Sequence, residues 1–378
     1  MNILFITHYS SLYGANRSLL LLLEGLKENN FNPMVFVPNE GPLIDELKKH
    51  NISYRKFKFW AWMGVRSKLF IFKAVLRFIL NLASLPILLT YALKFKPSVI
   101  YCNSSTTPIG IYLSVILRIP HIWHIRELGK LDYNLNYDFG RNYFYYFMRK
   151  SDAIITISQF VKESLFKGDW KNITIINNAV YSKDDVELLN AKAENRKDKA
   201  FTFLIMSIVH PSKGIQDAIE ALGKIKKDIS DVTLIVCGGD EDKQYRNYLN
   251  DLIINLDLVE QVSFRGFIDK PFEMYKMADA VLVCSRNEAW GRVAAEAMIS
   301  AKPVIGYNSG GTKEIITNNF NGLLYNDVNE LTTCMKTVIQ NRELVNTLVS
   351  NAKKYALERY SNSEYTYKTL SIITRLSK

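Results

Sequence analysis

The chain has 378 residues, of which 48% are hydrophobic and 22% charged, a composition typical of a globular protein with room for two cores. It shows no low-complexity stretch and no repeat of about 20 to 50 residues, which argues against disordered and solenoid architectures. Its cysteines are far apart and lack metal-ligand or redox spacing, so we expect a reducing compartment and no disulfide framework. They are Cys102, Cys237, Cys284 and Cys334.

Short apolar, β-branched runs alternate with longer helical patterns along the first half of the chain. The run at 3–7 lacks the basic flank of a signal peptide and is predicted as the first strand. Further strands are predicted at 34–37, 99–102, 121–125, 153–157 and 173–176. The polar stretch 182–199, rich in Lys, Asp, Glu and Asn, is predicted as a linker.

The same alternation restarts after the linker. Strands are predicted at 201–207, 233–237, 262–264, 280–284, 303–307 and 322–325. Near-continuous apolar strands separated by helices indicate parallel sheets that are covered on both faces. The sequence therefore predicts an α/β fold with two doubly wound, Rossmann-like domains, 1–181 and 200–360. The cleft in which they face each other is the expected ligand site.

Basic residues are concentrated in one region of the chain. Between Leu47 and Arg126 there is no Asp or Glu, although the chain as a whole has 37 of them. The region predicts an anionic partner for itself rather than for the whole protein. Its thirteen cations are Lys48, Lys49, Arg55, Lys56, Lys58, Arg66, Lys68, Lys73, Arg77, Lys94, Lys96, Arg118 and Arg126.

One helix, predicted over 69–93, is apolar enough and almost long enough to span a bilayer. Lys73, Arg77 and Asn81 recur every four residues along it and draw a polar stripe on an apolar helix. Pro86 interrupts the pattern. This arrangement favours a helix lying in a membrane surface. Two alternatives stay open, a core helix with its basic residues facing water and a membrane span.

The strongest chemical signal is the segment 288–298, which directly follows the predicted strand 280–284. Gly291 permits a tight turn, and a helix is predicted from Arg292 onward. A strand, a Gly turn and a helix N-terminus form a phosphate cradle, because unpaired backbone N–H groups converge there. Glu288 precedes the turn and Glu296 lies in the apolar helix, where ribose or sugar hydroxyls would satisfy a buried carboxylate. The alternative is that Glu296 pairs with a basic side chain while Glu288 is an exposed loop residue.

These residues resemble the E-x7-E motif of the retaining GT-B glycosyltransferases, family 4, also called glycosyl transferases group 1. Further motifs of the family follow in the same order, and the resemblance covers most of the chain. The segments Lys213-Gly214, Gly266-Phe267-Ile268, 301–305, 310–316 and 321–324 resemble its "K-G", "G-F-V", "G-x-P-V", "G-G-x-x-E-I-I" and "N-G-L-L" motifs.

The resemblance implies roles for residues of the second domain. Glu288 would hold hydroxyls of the donor sugar, Glu296 would bind the ribose, and Lys213 would neutralise the departing diphosphate. Backbone N–H groups of Trp290, Gly291 and Arg292 would donate hydrogen bonds to the sugar and the diphosphate. Ser207, Gly238 and Val293 complete the implied donor site. Preorganised donors of this kind meet the growing charge of the leaving group without a metal. We therefore expect a UDP- or GDP-sugar as the donor and neither a metal nor a cofactor.

The resemblance also assigns residues of the first domain. Gly14, in the loop after the first strand, matches one position of a Gly-rich loop that faces the diphosphate. An ordinary strand–helix turn is the alternative. His124 matches the active-site His that contacts the donor sugar, whereas His8 is interpreted as structural. Arg17, Arg126 and Glu127 are interpreted as acceptor residues, the last two as a pair. The C-terminal stretch, 361–378, is expected to pack back on this domain.

One position departs from the family pattern. The family usually has an Arg five residues before the Lys, and this chain has Ile208 there. Either Arg292, Arg265 or Arg17 replaces the missing cation, or Lys213 acts with backbone donors alone.

The expected activity is transfer of a sugar from the nucleotide donor to a lipid-linked or glycan acceptor, as in bacterial polysaccharide assembly. The expected location is the cytoplasm, peripherally at the inner face of an anionic plasma membrane. A related nucleotide-sugar epimerase is the first alternative, but the basic, membrane-like helix does not suit a small soluble substrate. A nucleic-acid-binding protein is the second, since aromatics are interleaved with the basic region. That reading leaves Glu288 and Glu296 unexplained.

Overall fold

The computed structural model describes residues 1–182, 185, 200–268 and 270–377. Their contacts divide the chain into two compact units, Met1–Ser182 with Asn362–Lys378 (unit 1) and Lys183–Ser361 (unit 2). Each unit is built around a parallel sheet with helical connections, so the predicted α/β class is confirmed. The predicted linker, 182–199, lies outside the described residues apart from 182 and 185.

The sheet of unit 1 has seven parallel strands in the order β3-β2-β1-β5-β6-β8-β9. The chain runs outward from β1 in one direction and then from β5 in the other, so the sheet is doubly wound with a switch point between β1 and β5. Its strands are β1 (Asn2–Ile6), β2 (Asn32–Val37), β3 (Ser53–Lys56), β5 (Val99–Cys102), β6 (His121–Ile125), β8 (Ala153–Thr156) and β9 (Ile173–Ile175). A separate antiparallel pair joins β4 (Met63–Val65) to β7 (Leu135–Tyr137).

Helices cover the sheet of unit 1. They are α1 (Gly14–Glu28), α2 (Pro42–Lys49), α3 (Phe70–Phe95), α4 (Ile109–Leu117), α5 (Lys130–Tyr133), α6 (Gly140–Met148) and α7 (Gln159–Leu165). The central strands β5, β6 and β8 are buried at every residue, which explains why their sequences are largely apolar. The apolar face of α1 packs into the same core through Leu19, Leu22 and Leu23.

Unit 2 repeats this winding with six parallel strands in the order β12-β11-β10-β13-β14-β15. Its switch point lies between β10 and β13. The strands are β10 (Phe201–Met206), β11 (Val232–Cys237), β12 (Val262–Phe264), β13 (Ala280–Val283), β14 (Val304–Tyr307) and β15 (Leu323–Tyr325). The helices are α8 (Ile215–Lys226), α9 (Lys243–Asn255), α10 (Pro271–Met277), α11 (Arg292–Ile299), α12 (Thr312–Ile315), α13 (Val328–Gln340) and α14 (Arg342–Arg359).

The last helix of the chain, α15 (Asn362–Leu376), belongs to unit 1 and packs against α1. Tyr365, Ile372 and Ile373 are buried in the unit 1 core. Gly25 of α1 lies so close to Thr366 that a Cβ at this glycine would stand 2.2 Å from the threonine hydroxyl. The close contact between the two helices therefore requires a glycine at position 25.

The long helix α3 turns two residues of its polar stripe, Arg77 and Asn81, toward the rest of unit 1 and not toward water. Arg77 forms a bidentate ion pair with Asp138, whose side chain is buried. Asn81 is buried and brackets the backbone of Trp60, accepting from its N–H and donating to its C=O. The expectation that this stripe faces water or lipid headgroups is therefore wrong for Arg77 and Asn81, and the surface that α3 exposes is largely apolar.

We predict that Arg77→Ala destabilises unit 1 by about 3–5 kcal/mol, because it leaves the carboxylate of Asp138 buried without its cation. Lys73→Ala, on the same helix and exposed, is the matched control and should change the free energy of unfolding by at most about 0.5 kcal/mol. Urea denaturation of both variants measures the difference. Equal stabilities would show that the ion pair contributes nothing.

Candidate donor site and polar cluster of the two units

The segment after β13 builds the first candidate site at the carboxyl edge of the unit 2 sheet. Gly291 has φ +99°, a backbone conformation that favours glycine, and it ends the turn at which α11 begins. The first N–H groups of α11, from Arg292 and Val293 onward, have no carbonyl one turn earlier to bond within the helix. This end of α11 is thus suited to an anionic group.

Glu296 is buried within α11 and both of its oxygens are engaged. Its Oε1 accepts from Nε of Arg292 at 2.6 Å, and its Oε2 accepts from the hydroxyl of Tyr275 at 2.8 Å. The pairing with Arg292 matches the alternative interpretation of this glutamate. The carboxylate of Glu296 can still accept further hydrogen bonds, since a carboxylate offers about four acceptor positions. No sequence signal singled out Tyr275, which lies in a short helix of ordinary pattern.

Glu288 meets Lys213, so the structure brings together the two residues predicted to work on the donor sugar and its diphosphate. Nζ of Lys213 lies 3.0 Å from Oε2 of Glu288. Burial raises the pKa of Glu288, but the Lys213 ammonium and hydrogen bonds from Lys213 and Ser285 lower it, and the pKa lies below its ordinary value. The backbone C=O of Glu288 also accepts from the N–H of Gly311 at 2.7 Å, which fixes this loop to the glycine pair before α12.

Other predicted donor residues lie at the same edge of the sheet. Ser207 follows β10 and Gly238 follows β11, and a Cβ at Gly238 would stand 1.9 Å from the carbonyl oxygen of Ser207. The hydroxyl of Ser207 and the indole N–H of Trp290 are buried and have no hydrogen-bond partner in the described part of the chain. Such groups are costly unless a ligand or water satisfies them. The hydroxyl of Thr312, beside Gly291, shares this property and had not been predicted.

The candidates for the missing cation differ in their surroundings. Arg292 stands at the first position of α11 and is already bonded to Glu296. Arg265 follows β12 and is exposed. Arg286, after β13, was not considered from the sequence, and it bonds the buried carboxylate of Asp217 at 2.9 Å. Of these arginines, Arg292 alone stands at the N-terminus of α11, and its replacing the missing cation stays a prediction.

Unit 1 contains a second polar centre around Arg126, which is buried just after β6. The guanidinium donates to the side-chain oxygens of Asn103 and Asn178 and, at 2.7 Å, to the hydroxyl of Tyr365. None of these partners carries a negative charge. A buried cation held by neutral acceptors is unusual, and it sets a positive potential at the carboxyl edge of this sheet. Asn103, Asn178 and Tyr365 were missed because they lie far from Arg126 in sequence.

His124 lies next to this centre at the end of β6 and is completely buried. Its Nδ1 is 2.5 Å from the hydroxyl of Tyr101, and its Nε2 has no partner among the described residues. Burial, reinforced by the charge of Arg126, holds the pKa of His124 well below its ordinary value. The same two causes lower the pKa of His8, which follows β1, to about 3. Both rings are therefore neutral at physiological pH.

The expected pairing of Arg126 with Glu127 is wrong. Glu127 instead accepts from the backbone N–H and the hydroxyl of Ser105 and from the hydroxyl of Ser104. The two side chains therefore bond to different groups, although they are adjacent in the sequence. Burial raises the pKa of Glu127, and the hydrogen bonds from Ser105 oppose that rise.

The loop before α1 is held by its own polar residues. Gly14 is the first residue of α1, and Nε of Arg17 donates to the carbonyl of Leu12 at 2.8 Å. Asn16, which was not predicted, is buried and donates to the carbonyls of Tyr9 and Ser11. Among the described residues no group of His, Cys, Asp or Glu side chains is arranged to hold a metal ion.

Two protein-family models match the chain in succession. The model for glycosyltransferase family 4 matches residues 13–183, and the model for glycosyl transferases group 1 matches residues 187–355. An uncharacterized glycosyltransferase of Methanocaldococcus jannaschii is 31% identical over 250 residues, covering 66% of each chain. The alpha-monoglucosyldiacylglycerol synthase of Acholeplasma laidlawii is 28% identical over 190 residues, 48% of this chain and 46% of that enzyme.

Solved structures share the fold over the full length of the chain. The Anabaena Alr3699/HepE protein, crystallised in complex with UDP and glucose, superposes with a TM-score of 0.80 at 21% identity, covering 99% of both chains. The two doubly wound units have the GT-B fold, and the matching family models show that the chain is a glycosyltransferase of this class. Within that class, the chain belongs to family 4, the group 1 glycosyl transferases.

We predict that Arg126→Gln raises the pKa of His8 and His124 but not that of His121. The charge of Arg126 lowers the first two values, whereas burial alone lowers the pKa of His121 to about 3. The raised values should stay below 6.5, because burial persists. Titration of protein labelled with 13C in its histidine rings, followed by NMR, measures all three residues in one sample. A uniform shift of the three rings would instead indicate a general loosening of unit 1.

Proposed function

We propose that the enzyme transfers a sugar from a nucleoside diphosphate sugar to an acceptor hydroxyl, with retention of configuration. The observation that carries this proposal is the contact of Lys213 with Glu288 just ahead of the N-terminus of α11. A cation, a carboxylate and the first N–H groups of a helix at one sheet edge match a donor that has both hydroxyls and a diphosphate. The complex of the Anabaena neighbour with UDP and glucose supports this class of donor.

In the proposed reaction, the bond between the anomeric carbon and the diphosphate oxygen breaks and the oxygen of the acceptor hydroxyl bonds to that carbon. The proton of the hydroxyl passes to the departing diphosphate oxygen. Negative charge grows on the diphosphate, where Lys213 and the N–H groups at the start of α11 stabilise it without a metal. Glu288 accepts from hydroxyls of the transferred sugar, and Glu296 accepts from the ribose. The E-x7-E arrangement of these glutamates, as in the retaining members of the family, supports retention.

The acceptor we propose is lipid-linked. The Acholeplasma relative is named for a glycosylated diacylglycerol, which supports a lipid acceptor for this chain as well. Thermal-shift measurements with UDP, GDP, UDP-glucose and GDP-mannose test the donor class, and proton NMR of the product tests the configuration at the anomeric carbon. Recovery of an epimerised nucleotide sugar would replace transfer with epimerisation as the activity.

Replacing the two glutamates separately should give different kinetic defects. Glu296→Ala is expected to raise KM for the donor, and Glu288→Ala is expected to lower kcat. Each loses a charge-assisted hydrogen bond worth about 1.5–3 kcal/mol, or roughly 10- to 150-fold. Glu273→Ala is the matched control, because that side chain is exposed and pairs only with Lys270 one turn away. Unchanged kinetics in both site variants would remove the donor-site assignment.

Lys213→Ala should lower kcat about a hundredfold or more, because Ile208 leaves Lys213 without the arginine that usually shares its task. The substitution should also raise the pKa of Glu288, since burial would then act without the ammonium that opposes it. Steady-state kinetics measure the first effect, with Lys270→Ala as the control. If Lys213→Ala turns over at the native rate, the diphosphate is neutralised elsewhere, and Arg292→Lys becomes the informative variant.

A further inference from the structure

The outer face of α3 is an apolar surface that runs along the whole helix. By length and composition α3 is sufficient to cross a membrane, yet little of it is buried in the structure. Phe72 is 66% exposed and Ile79 54%. Successive turns of the helix contribute to the surface, which we call the α3 face. Its large members are Ile71, Phe72, Val75, Leu76, Ile79, Leu82, Ile87 and Leu93.

The opposite side of α3 is fixed to unit 1. The ion pair of Arg77 with Asp138 and the bonds of Asn81 to Trp60 attach the polar stripe. Leu85, Leu88 and Ala92 are buried on the same side. Crossing a bilayer would break these contacts and leave the carboxylate of Asp138 buried without its partner. The geometry therefore keeps α3 on the surface of the unit, with its apolar face outward.

Unpaired cations border the α3 face at both ends. Arg66 and Lys68 precede α3, Lys73 lies in its first turns, and Lys94 and Lys96 end it. Arg118 ends α4, which packs beside α3 and exposes Val115 and Ile116. All six cations are exposed, and none forms an ion pair with any residue that the structure describes. No Asp or Glu occurs between Leu47 and Arg126 to compensate them.

We propose that the α3 face is the surface by which unit 1 lies on an anionic lipid membrane, with α3 parallel to the bilayer plane. Apolar side chains would enter the boundary between headgroups and acyl chains while the bordering cations contact anionic headgroups. A second copy of the chain fits this surface poorly, because pairing two α3 faces would bring two sets of unpaired cations together. The proposal adds a place of action to the transferase and does not depend on the identity of its donor.

The two parts of the surface are tested separately with the full chain. Vesicles of phosphatidylcholine containing phosphatidylglycerol should bind the protein, and vesicles of phosphatidylcholine alone should bind it much more weakly. High salt should weaken the binding without abolishing it, because screening acts on the charges and not on the apolar contact. Co-sedimentation at low and high salt measures both components.

Four cations are replaced together in Arg66→Gln, Lys68→Gln, Lys73→Gln and Lys94→Gln, which leave Arg77 and its buried partner intact. Loss of affinity should be roughly fivefold per residue. The matched control removes the same charge from exposed lysines of unit 2, through Lys227→Gln, Lys243→Gln, Lys276→Gln and Lys354→Gln. The control should keep its vesicle binding, although its net charge is equal.

The apolar part is tested by Phe72→Asn and Ile79→Asn, each expected to lower vesicle affinity on the order of tenfold. Ile254→Asn, at a residue that is 63% exposed on α9 of unit 2, is the matched control. Nucleotide thermal shifts should be unchanged in every variant, which separates this proposal from the proposed function. Equal vesicle binding by variants and controls would overturn the proposal. A dimer that dissociates in Phe72→Asn, seen by analytical ultracentrifugation without vesicle binding, would do so too.

Discussion

Parallel pairing makes every strand of a sheet end at the same edge, and both units depend on this constraint. The loops that follow β1, β5 and β6 meet at one edge of the first sheet, and those after β10, β11 and β13 meet at one edge of the second. Residues more than seventy positions apart, such as Lys213 and Glu288, become neighbours through this geometry alone. The long α/β connections serve chiefly to return the chain to the opposite edge.

The buried charges at the two edges have different kinds of partner. In unit 2 each glutamate of the motif has its own cation, Lys213 for Glu288 and Arg292 for Glu296. A ligand hydroxyl at this edge would therefore give each carboxylate a new partner in addition to, or in place of, its cation. Neither carboxylate would lose all its partners. In unit 1 the guanidinium of Arg126 has only neutral partners among the described residues, and its charge adds to the effect of burial in keeping the neighbouring imidazoles unprotonated. The positive potential at that edge suits an oxygen-rich or anionic group better than another cation.

Local patterns were sufficient to predict the class of fold and the segments that form the edges. Apolar runs mark buried strands, and Gly291 with the glutamates around it marks the turn into α11, because both signals lie within a few residues. The orientation of α3 was mispredicted for the opposite reason. A polar stripe of period four fits water, lipid or protein equally well, and Asp138, which decides the matter, lies 61 residues beyond Arg77.

Partners contributed from a distance were missed for the same physical reason. Tyr275 bonds Glu296 and Tyr365 bonds Arg126. Each tyrosine lies in a helix whose sequence pattern gives it no special role. Arg126 and Glu127 were predicted to pair because they are adjacent, yet each bonds to groups from other segments. What each of these residues touches therefore depends on contacts between segments that are far apart in the sequence.

The return of α15 to unit 1 affects how the chain is made. A ribosome releases the residues of unit 2 as one uninterrupted segment, so that body can close as soon as it has emerged. Unit 1 lacks Tyr365, Ile372 and Ile373 until α15 has left the exit tunnel. Its core therefore stays open while the whole second body is synthesised, and domains generally fold as units once their segments are complete. Most of unit 1 is thus translated before unit 2, but its core is completed after that of unit 2.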